Sequence, residues 1–256
     1  MLELAGRGAI VAGTKRVGAV VARRLAEEGV RLAIVYRSSR AEAEKLYELT
    51  HEMTDRVCLI QADLTIEADV ARAVAEAKQQ LGDLSFCVNL ASDYPRVPFE
   101  NLDDAAWERG MTPAKATYLL ALHASRSMQS NPGPTRGHLV FFGDWAAGET
   151  PYHEFLPYLT SKAAIDFMTR GFALELAPWG ILVNTIVPGP TAQANEVTSE
   201  EWEQAMKETP LHRESSAEEI AEMVTTLLKF ETMTGESIRI DAGRHIAGAG
   251  LPQPAV

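Results

Sequence analysis

Cysteine is scarce in this sequence: Cys58 and Cys87 are the two among 256 residues. Both sit in strand-like runs, VCLI and FCVNL, and are expected to be buried thiols rather than a disulfide or a redox pair. A reducing cytoplasm is the setting this suggests. Long apolar runs are missing too; none approaches the roughly 18 residues that a membrane span requires. Residues 1–13 lead directly into a strand-like run and do not read as a secretory leader. Basic residues are outnumbered, 24 Lys and Arg against 35 Asp and Glu, for a net charge of -11. That balance argues against a nucleic-acid partner, which needs clustered cations. No metal site is expected. Internal repeats, interdomain linkers and low-complexity tracts are also absent from the sequence.

What is present is an alternation of strand-like and helix-like segments. Strands are expected at 8–12, 30–36, 57–61, 84–90, 138–142, 181–187 and 237–241. Helices are expected at 18–28, 40–53, 67–81, about 104–130, about 157–177, 199–207 and 216–230. This succession predicts an α/β fold: a single Rossmann-type, doubly wound parallel sheet with helices on both faces. Right-handed crossovers then gather functional groups at the carboxyl ends of the strands. The domain is expected to span 1–243, with a substrate loop at about 191–210. The Gly-, Pro- and Ala-rich tail, 244–256, is expected to lack regular structure.

The first strand runs into Gly13, then Thr14-Lys15-Arg16-Val17, then Gly18 at the start of a helix. Such a turn lets backbone N–H groups and a helix N-terminus approach a pyrophosphate. An ordinary strand-to-helix turn is the plain alternative. The end of the second strand favours the dinucleotide. A site that holds the ribose diol of NAD carries Asp or Glu there, whereas this chain has Tyr36-Arg37-Ser38-Ser39-Arg40. Arg37 and Ser38 suit a 2′-phosphate, and hence NADP(H), through charge-assisted hydrogen bonds. The competing reading is a solvated basic turn.

Tyr158 and Lys162 are four residues apart on an expected helix and so share a face. A nearby ammonium is expected to lower the tyrosine pKa, tuning it as a general acid that protonates a carbonyl as hydride arrives. Alone, such a pair is equally a helix-surface contact.

In combination these segments resemble the short-chain dehydrogenase/reductases over nearly the whole chain. The matching pieces are Gly13…Gly18 with LAEEG, Asp63 in QADL, Asn89-Leu90-Ala91-Ser92, and Tyr158-Leu159-Thr160-Ser161-Lys162. Further on come Asn184-Thr185-Ile186-Val187-Pro188-Gly189-Pro190-Thr191 and Thr234-Gly235 before IRIDAG. The resemblance implies that Tyr158 is the general acid and that Lys162 holds the nicotinamide ribose and tunes Tyr158. It implies that Asp63, beside Leu64, faces the adenine. Asn89, Ala91 and Ser92 would line the cofactor cleft. Val187, Pro188, Gly189 and Thr191 would flank the nicotinamide and its phosphates, and Gly13, Lys15, Arg16, Val17 and Gly18 would form the phosphate loop. Asn184 and Asp241 are expected to be structural. A homotetramer or homodimer through the helices at about 104–130 and 157–177 is implied as well.

Four departures from the family pattern point to a branch. The glycine loop is one residue and one glycine short, and Lys15-Arg16-Val17-Gly18 resembles the Lys-Arg-Leu-Gly run of pteridine reductases. The usual serine ahead of the tyrosine is absent, and Asp144, after HLVFF, stands near its place, though one residue further from Tyr158 than expected. Asn89-Leu90-Ala91-Ser92 followed by Asp93-Tyr94 is close to the same branch. The asparagine that supports a proton-relay water is replaced by Pro113 or Ala114. Two readings follow. In the first, an enzyme uses NADPH to reduce a C=N or C=O carbon, with Tyr158, Lys162 and Asp144 catalytic and Tyr94, Trp145 and Trp202 at the substrate. Its substrate is a small molecule, pterin-like or a ketone or 3-ketoacyl compound. In the second, the chain binds NADP(H) without turnover.

Overall fold

The computed structural model describes residues 1–148, 150–193 and 197–247. The apolar runs become β1 (Gly8–Ala12), β2 (Arg31–Tyr36), β3 (Val57–Gln61), β4 (Phe86–Asn89), β5 (Gly137–Phe142), β6 (Ile181–Pro188) and β7 (Ser237–Ile240). They form one sheet in the order β3-β2-β1-β4-β5-β6-β7, with every pairing parallel. The helices are α1 (Val17–Glu27), α2 (Arg40–Thr50), α3 (Glu67–Leu81), α4 (Asp104–Met128), α5 (Leu156–Leu176), α6 (Ser199–Lys207) and α7 (Ala217–Lys229). The expected doubly wound fold is the observed one.

Why the central strands read as unbroken apolar runs is now plain: both of their faces are covered. Ile10, Ala12, Cys87, Leu139, Phe141 and Val183 face the cluster shared with α3, α4 and α5. Ala9, Val11, Val88, Val140 and Ile186 face the cluster shared with α1, α2 and α7. The two cysteines are buried and unbridged, and burial pushes their thiols up to about 11 for Cys58 and about 12 for Cys87.

Several boundaries shift by one to three residues from expectation, and three of the differences have a local reason. The second helix stops at Thr50 rather than 53, because the Thr50 hydroxyl donates to Leu46 O at 2.8 Å and the His51 ring lies 3.1 Å from Tyr47 O, tying up carbonyls of the last turn. The fourth strand ends at Asn89 rather than 90: the Asn89 side chain accepts the Ala91 N–H at 3.1 Å and turns the chain outward. The segment expected to be irregular from 244 contains a 3₁₀ turn at Arg244–Ile246, held by Asp241, which accepts the N–H groups of Gly243 and His245. The remainder of that expected tail, 248–256, lies outside the described residues.

After β1 the chain builds β2 and β3 on one side, then returns to place β4 on the other. At this reversal the loops leaving β1 and β4 diverge, which opens a crevice at the carboxyl ends of the strands. α4 forms part of its wall and runs unbroken through Pro113. Proline cannot bond the carbonyl four residues earlier. The Thr112 hydroxyl takes over that carbonyl, Arg109 O, at 2.8 Å.

Candidate active site

The crevice is a cleft of about 760 Å³. Its floor is the turn after β1. Gly13 has φ +105°, and a Cβ there would lie 3.0–3.1 Å from the backbone of Leu90 and Ala91. At Gly18 a Cβ would come within 2.1 Å of Gly13 O, so α1 packs against the turn only without a side chain. Arg16 caps α1 with φ 47°, the left-handed region where glycine is favoured. Thr14 and Ser39 share a hydrogen bond of 2.8 Å that ties this turn to the end of β2.

Cations ring the cleft. Lys15, Arg16, Arg37, Arg96 and Arg109 line it against two acids, Asp63 and Asp93, in a protein of net charge -11. Such local excess draws an anionic ligand. Arg37 is half exposed and paired with Asp93 at 3.4 Å, and Lys15 pairs with Glu42 at 3.2 Å. Ser38 and Leu64 lie on the same side of the lining as Arg37, at the ends of β2 and β3, and Leu90, Ala91 and Ser92 follow β4 across β1 from them. Asp63 lines the cleft while its carboxylate accepts the N–H and hydroxyl of Thr65, at 2.9 and 2.7 Å, bonds that hold its pKa below the usual range. Asn89 stands behind the wall. Both ends of its amide are engaged, Nδ2 with the Thr117 hydroxyl at 2.9 Å and Oδ1 with Ala91 N–H, so it braces the wall instead of lining it.

Beyond Tyr94 the surroundings change from charged to aromatic. Tyr94 lines the cleft, stacks on Phe155 with ring centroids 4.2 Å apart, and meets Tyr158 at a right angle at 4.9 Å. Tyr158 stands in the first turn of α5, and its hydroxyl donates to Asp144 Oδ2 at 3.1 Å. The Tyr152 hydroxyl donates to the same oxygen at 3.1 Å, while Oδ1 accepts the Ala146 N–H at 2.9 Å. The extra residue between Asp144 and Tyr158 therefore does not separate them. Asp144 both braces its own turn and holds the tyrosine. The end of β6 is bound to this turn, since Trp145 N–H donates to Pro188 O at 3.2 Å and Gly143 N–H to Ile186 O at 2.9 Å. Gly189 follows, bonded to Ile240 O, and the Thr191 hydroxyl donates to Gly189 O. Trp145 lies between Tyr152 and the Arg244 guanidinium, which is 4.6 Å from the indole centroid.

Burial dominates the electrostatics here. It pushes the Asp144 carboxyl above the usual carboxylate range, against the pull of the Ala146 N–H and of Lys162. Burial, then the Asp144 charge, raises Tyr158 well above the ordinary phenol value, and the Arg16 charge opposes this. Lys162 falls to about 8 through burial. The expectation that Lys162 lowers the Tyr158 pKa is thus not met by these groups themselves. The ammonium donates to Phe142 O at 2.9 Å and sits 5.6 Å from the ring centroid, too little to outweigh desolvation and the neighbouring carboxylate.

The remaining expected residue, Trp202, is half-buried on α6. That helix is linked to the cleft rim through its neighbour Glu201, which accepts from Arg96 at 2.7 Å; Arg96 also donates to Glu154. Asn184 and Asp241 are structural, as expected: Asn184 bonds Met233 O and Glu236 N, and Asp241 holds the turn that follows it. Sequence reasoning missed Tyr152, Asp93, Arg96 and Thr117. The first three lie on loops, where no periodicity marks them.

Comparison with known proteins agrees with this geometry. A family profile described as enoyl-(acyl carrier protein) reductase matches residues 11–245. Glucose and ribitol dehydrogenase homolog 2 of Arabidopsis thaliana is 32% identical over 86% of this chain and 78% of its own. A short-chain dehydrogenase/reductase from Serratia marcescens superposes with a TM-score of 0.87 at 30% identity, covering 95% of this chain and 100% of that one. The FolM alternative dihydrofolate reductase 1 from Brucella canis, complexed with NADP, superposes at 0.86 with 28% identity, covering 99% and 98%. The sheet order, the glycine turn and the Tyr158–Lys162 pair at the carboxyl end of the sheet thus have one common explanation: the chain belongs to the short-chain dehydrogenase/reductase family of oxidoreductases.

Proposed function

We propose that the chain is an NADP(H)-dependent reductase of a C=N or C=O carbon, and that its substrate is a pterin-like ring. The observation that carries this reading is the carboxyl of Asp144, hydrogen-bonded to Tyr158 at 3.1 Å and raised in pKa by burial. A hydroxyl in that place only polarises a carbonyl. A carboxyl whose proton affinity burial has raised also exchanges a proton with a basic ring nitrogen. The alternative dihydrofolate reductase among the structural relatives, which is complexed with NADP, supports the same direction, since dihydrofolate contains a pterin.

The cleft fits a dinucleotide phosphate. The missing Cβ atoms of Gly13 and Gly18 let the turn pack against Leu90 and Ala91 and draw the α1 N-terminus up to it, where a pyrophosphate would lie beside Lys15, Arg16 and Val17. Arg37 and Ser38 take the 2′-phosphate, Asp63 and Leu64 border the adenine, and Ala91 and Ser92 line the opposite wall. Pro188, Gly189 and Thr191, tied to the Asp144 turn through Trp145 N–H, would border the nicotinamide end. When bound, the nicotinamide supplies the hydride. Tyr158 donates the proton, Lys162 holds the ribose, and Asp144 orients Tyr158 and faces the ring. Tyr94, Trp145 and Trp202 shape the substrate corner.

The test compares wild type, Asp144→Ser and Asp144→Ala on dihydrobiopterin and on a panel of simple ketones. Dihydrobiopterin turnover by wild type, lost selectively in both variants, is the expected result. The second reading, a ketone or 3-ketoacyl reductase, is favoured by a 28% identical relative described as a putative ketoacyl reductase of granaticin synthesis. It requires that wild type ignore pterins and reduce ketones, and that Asp144→Ser improve that activity.

Assembly belongs to the same proposal. Trp107 and Tyr118 on α4 and Phe167 and Leu174 on α5 are exposed large apolar residues, Phe167 by 70% and Leu174 by 77%. They suit a symmetric homo-oligomer, dimer or tetramer, through these helices. Light scattering showing only monomer at micromolar concentration contradicts it.

A further inference from the structure

We propose that Tyr152 and Tyr94 form a proton path that resupplies Tyr158 through Asp144, and that Tyr152 is its essential link. The proposal rests on the reductase reading above. Three observations carry it. Asp144 Oδ2 accepts from two phenols at once, Tyr158 at 3.1 Å and Tyr152 at 3.1 Å. Tyr94 packs beside Tyr152, with ring centroids 6.4 Å apart, and its phenol acts on that of Tyr152. Tyr94 in turn lines the open cleft, whereas Tyr158 is 7% exposed and Lys162 is 4% exposed. The groups therefore stand in series from the cleft to the buried donor: Tyr94, Tyr152, Asp144, Tyr158.

The usual route lacks its connections on this chain. Lys162 gives one of its three N–H groups to Phe142 O at 2.9 Å and, among the described residues, bonds neither Asp144 nor Tyr158. Within α4, Pro113 has no side-chain amide to hold a water, and the carbonyl it frees is taken by Thr112. A donor that gives up a proton in every turnover still needs one back, and the phenol pair on Asp144 is the connected source.

The step balances. Tyr158 breaks its O–H bond as the substrate oxygen or nitrogen gains the proton. Tyr152 then breaks its O–H bond, an O–H bond forms on Asp144 Oδ2, and that proton moves on to restore the Tyr158 hydroxyl. Tyr152 regains a proton from Tyr94, and Tyr94 from water in the cleft. One proton enters from solvent for each one delivered, and no electrons travel along the path. Tyr152 touches Asp144 rather than substrate, so it is a positioning and relay residue.

The experiment uses the full chain, NADPH and whichever panel substrate wild type reduces. Tyr152→Phe keeps the ring against Trp145 and Phe155 and removes only the hydroxyl. The first turnover, measured in stopped flow, is expected to remain within about twofold of wild type, because Tyr158 starts protonated. Steady-state kcat is expected to fall at least about tenfold, the low end of what a placed proton donor contributes, and added imidazole buffer is expected to restore part of it. Tyr94→Phe should fall less, and the double variant should be no worse than Tyr152→Phe, since the two act in series. If Tyr152 merely braces Asp144, the first turnover slows as much as the later ones and buffer restores nothing. That result overturns the relay, as does a wild-type kcat in Tyr152→Phe. A wild type that reduces nothing on the panel removes the reductase reading and the relay with it, and differs visibly from either result.

Discussion

The two ends of the candidate site, the cleft and the aromatic corner behind Tyr94, hold their charges under opposite conditions. Around Arg37 the groups are open to water: Arg37 and Asp93 are each about half exposed and meet at 3.4 Å. Around Tyr158 they are enclosed by Tyr94, Tyr152 and Phe155, and burial is the first cause of every shift there, up for Asp144, Tyr152 and Tyr158, down for Lys162. The open end recognises by charge that water weakens. The closed end converts small displacements of a proton into large differences in free energy, because the dielectric is low. Recognition and chemistry are therefore expected to respond to mutation on different scales.

The largest effect should come from the closed end. Tyr158→Phe removes the donor and leaves the cleft untouched, so turnover should drop at least about a hundredfold while NADPH affinity, measured by fluorescence titration, stays near wild type. Near-normal turnover in this variant removes Tyr158 from the chemistry.

A second enclosed group affects stability instead. His138 on β5 is 1% exposed, both of its ring nitrogens lack a hydrogen-bond partner among the described residues, and burial lowers its pKa to about 4 from the ordinary 6.5. The unfolded chain therefore binds a proton between those two values that the folded chain refuses. Stability should be complete above pH 6.5 and decline as pH falls toward 4, by about 3 kcal/mol from this group. Denaturant melts of wild type and His138→Leu across that range check this; equal slopes with pH would rule it out.

The smallest effects should come from the open end. NADPH should bind about tenfold better than NADH, through one phosphate pair at Arg37 whose strength solvent limits to the low end of a charge-assisted bond. Arg37→Asp should erase that preference. Asp93→Asn, which frees Arg37 from its competitor, should tighten NADPH by a few-fold at most. An Asp93→Asn variant that binds NADPH more weakly would mean that the pair organises the site rather than competing with phosphate.

The same contrast explains what was legible in the sequence. Seven strands and their order of connection could be read because burial on both faces leaves a run of apolar residues, as in AIVA of β1 and HLVFF of β5. Gly13 and Gly18 could be read because only glycine fits where a Cβ would meet backbone. Tyr158 and Lys162 could be read because helical spacing places them on one face. Tyr152 could not, since its partnership with Asp144 arises from the path of an irregular loop. The sign of the Tyr158 shift was misjudged for a related reason. Spacing shows that an ammonium is near, but not that it is committed to Phe142 O and that the phenol is enclosed.

A crystal structure with NADP bound is the most direct test that the open and closed ends serve one reaction. The account predicts the 2′-phosphate on Arg37 and Ser38, the pyrophosphate on the Gly13–Gly18 turn, and the nicotinamide ring reaching the corner of Tyr158 and Asp144, near enough for a substrate carbon to lie between the ring and the phenol. A nicotinamide that stops on the far side of Tyr94, with Tyr158 still covered, or a cofactor bound elsewhere, would contradict it.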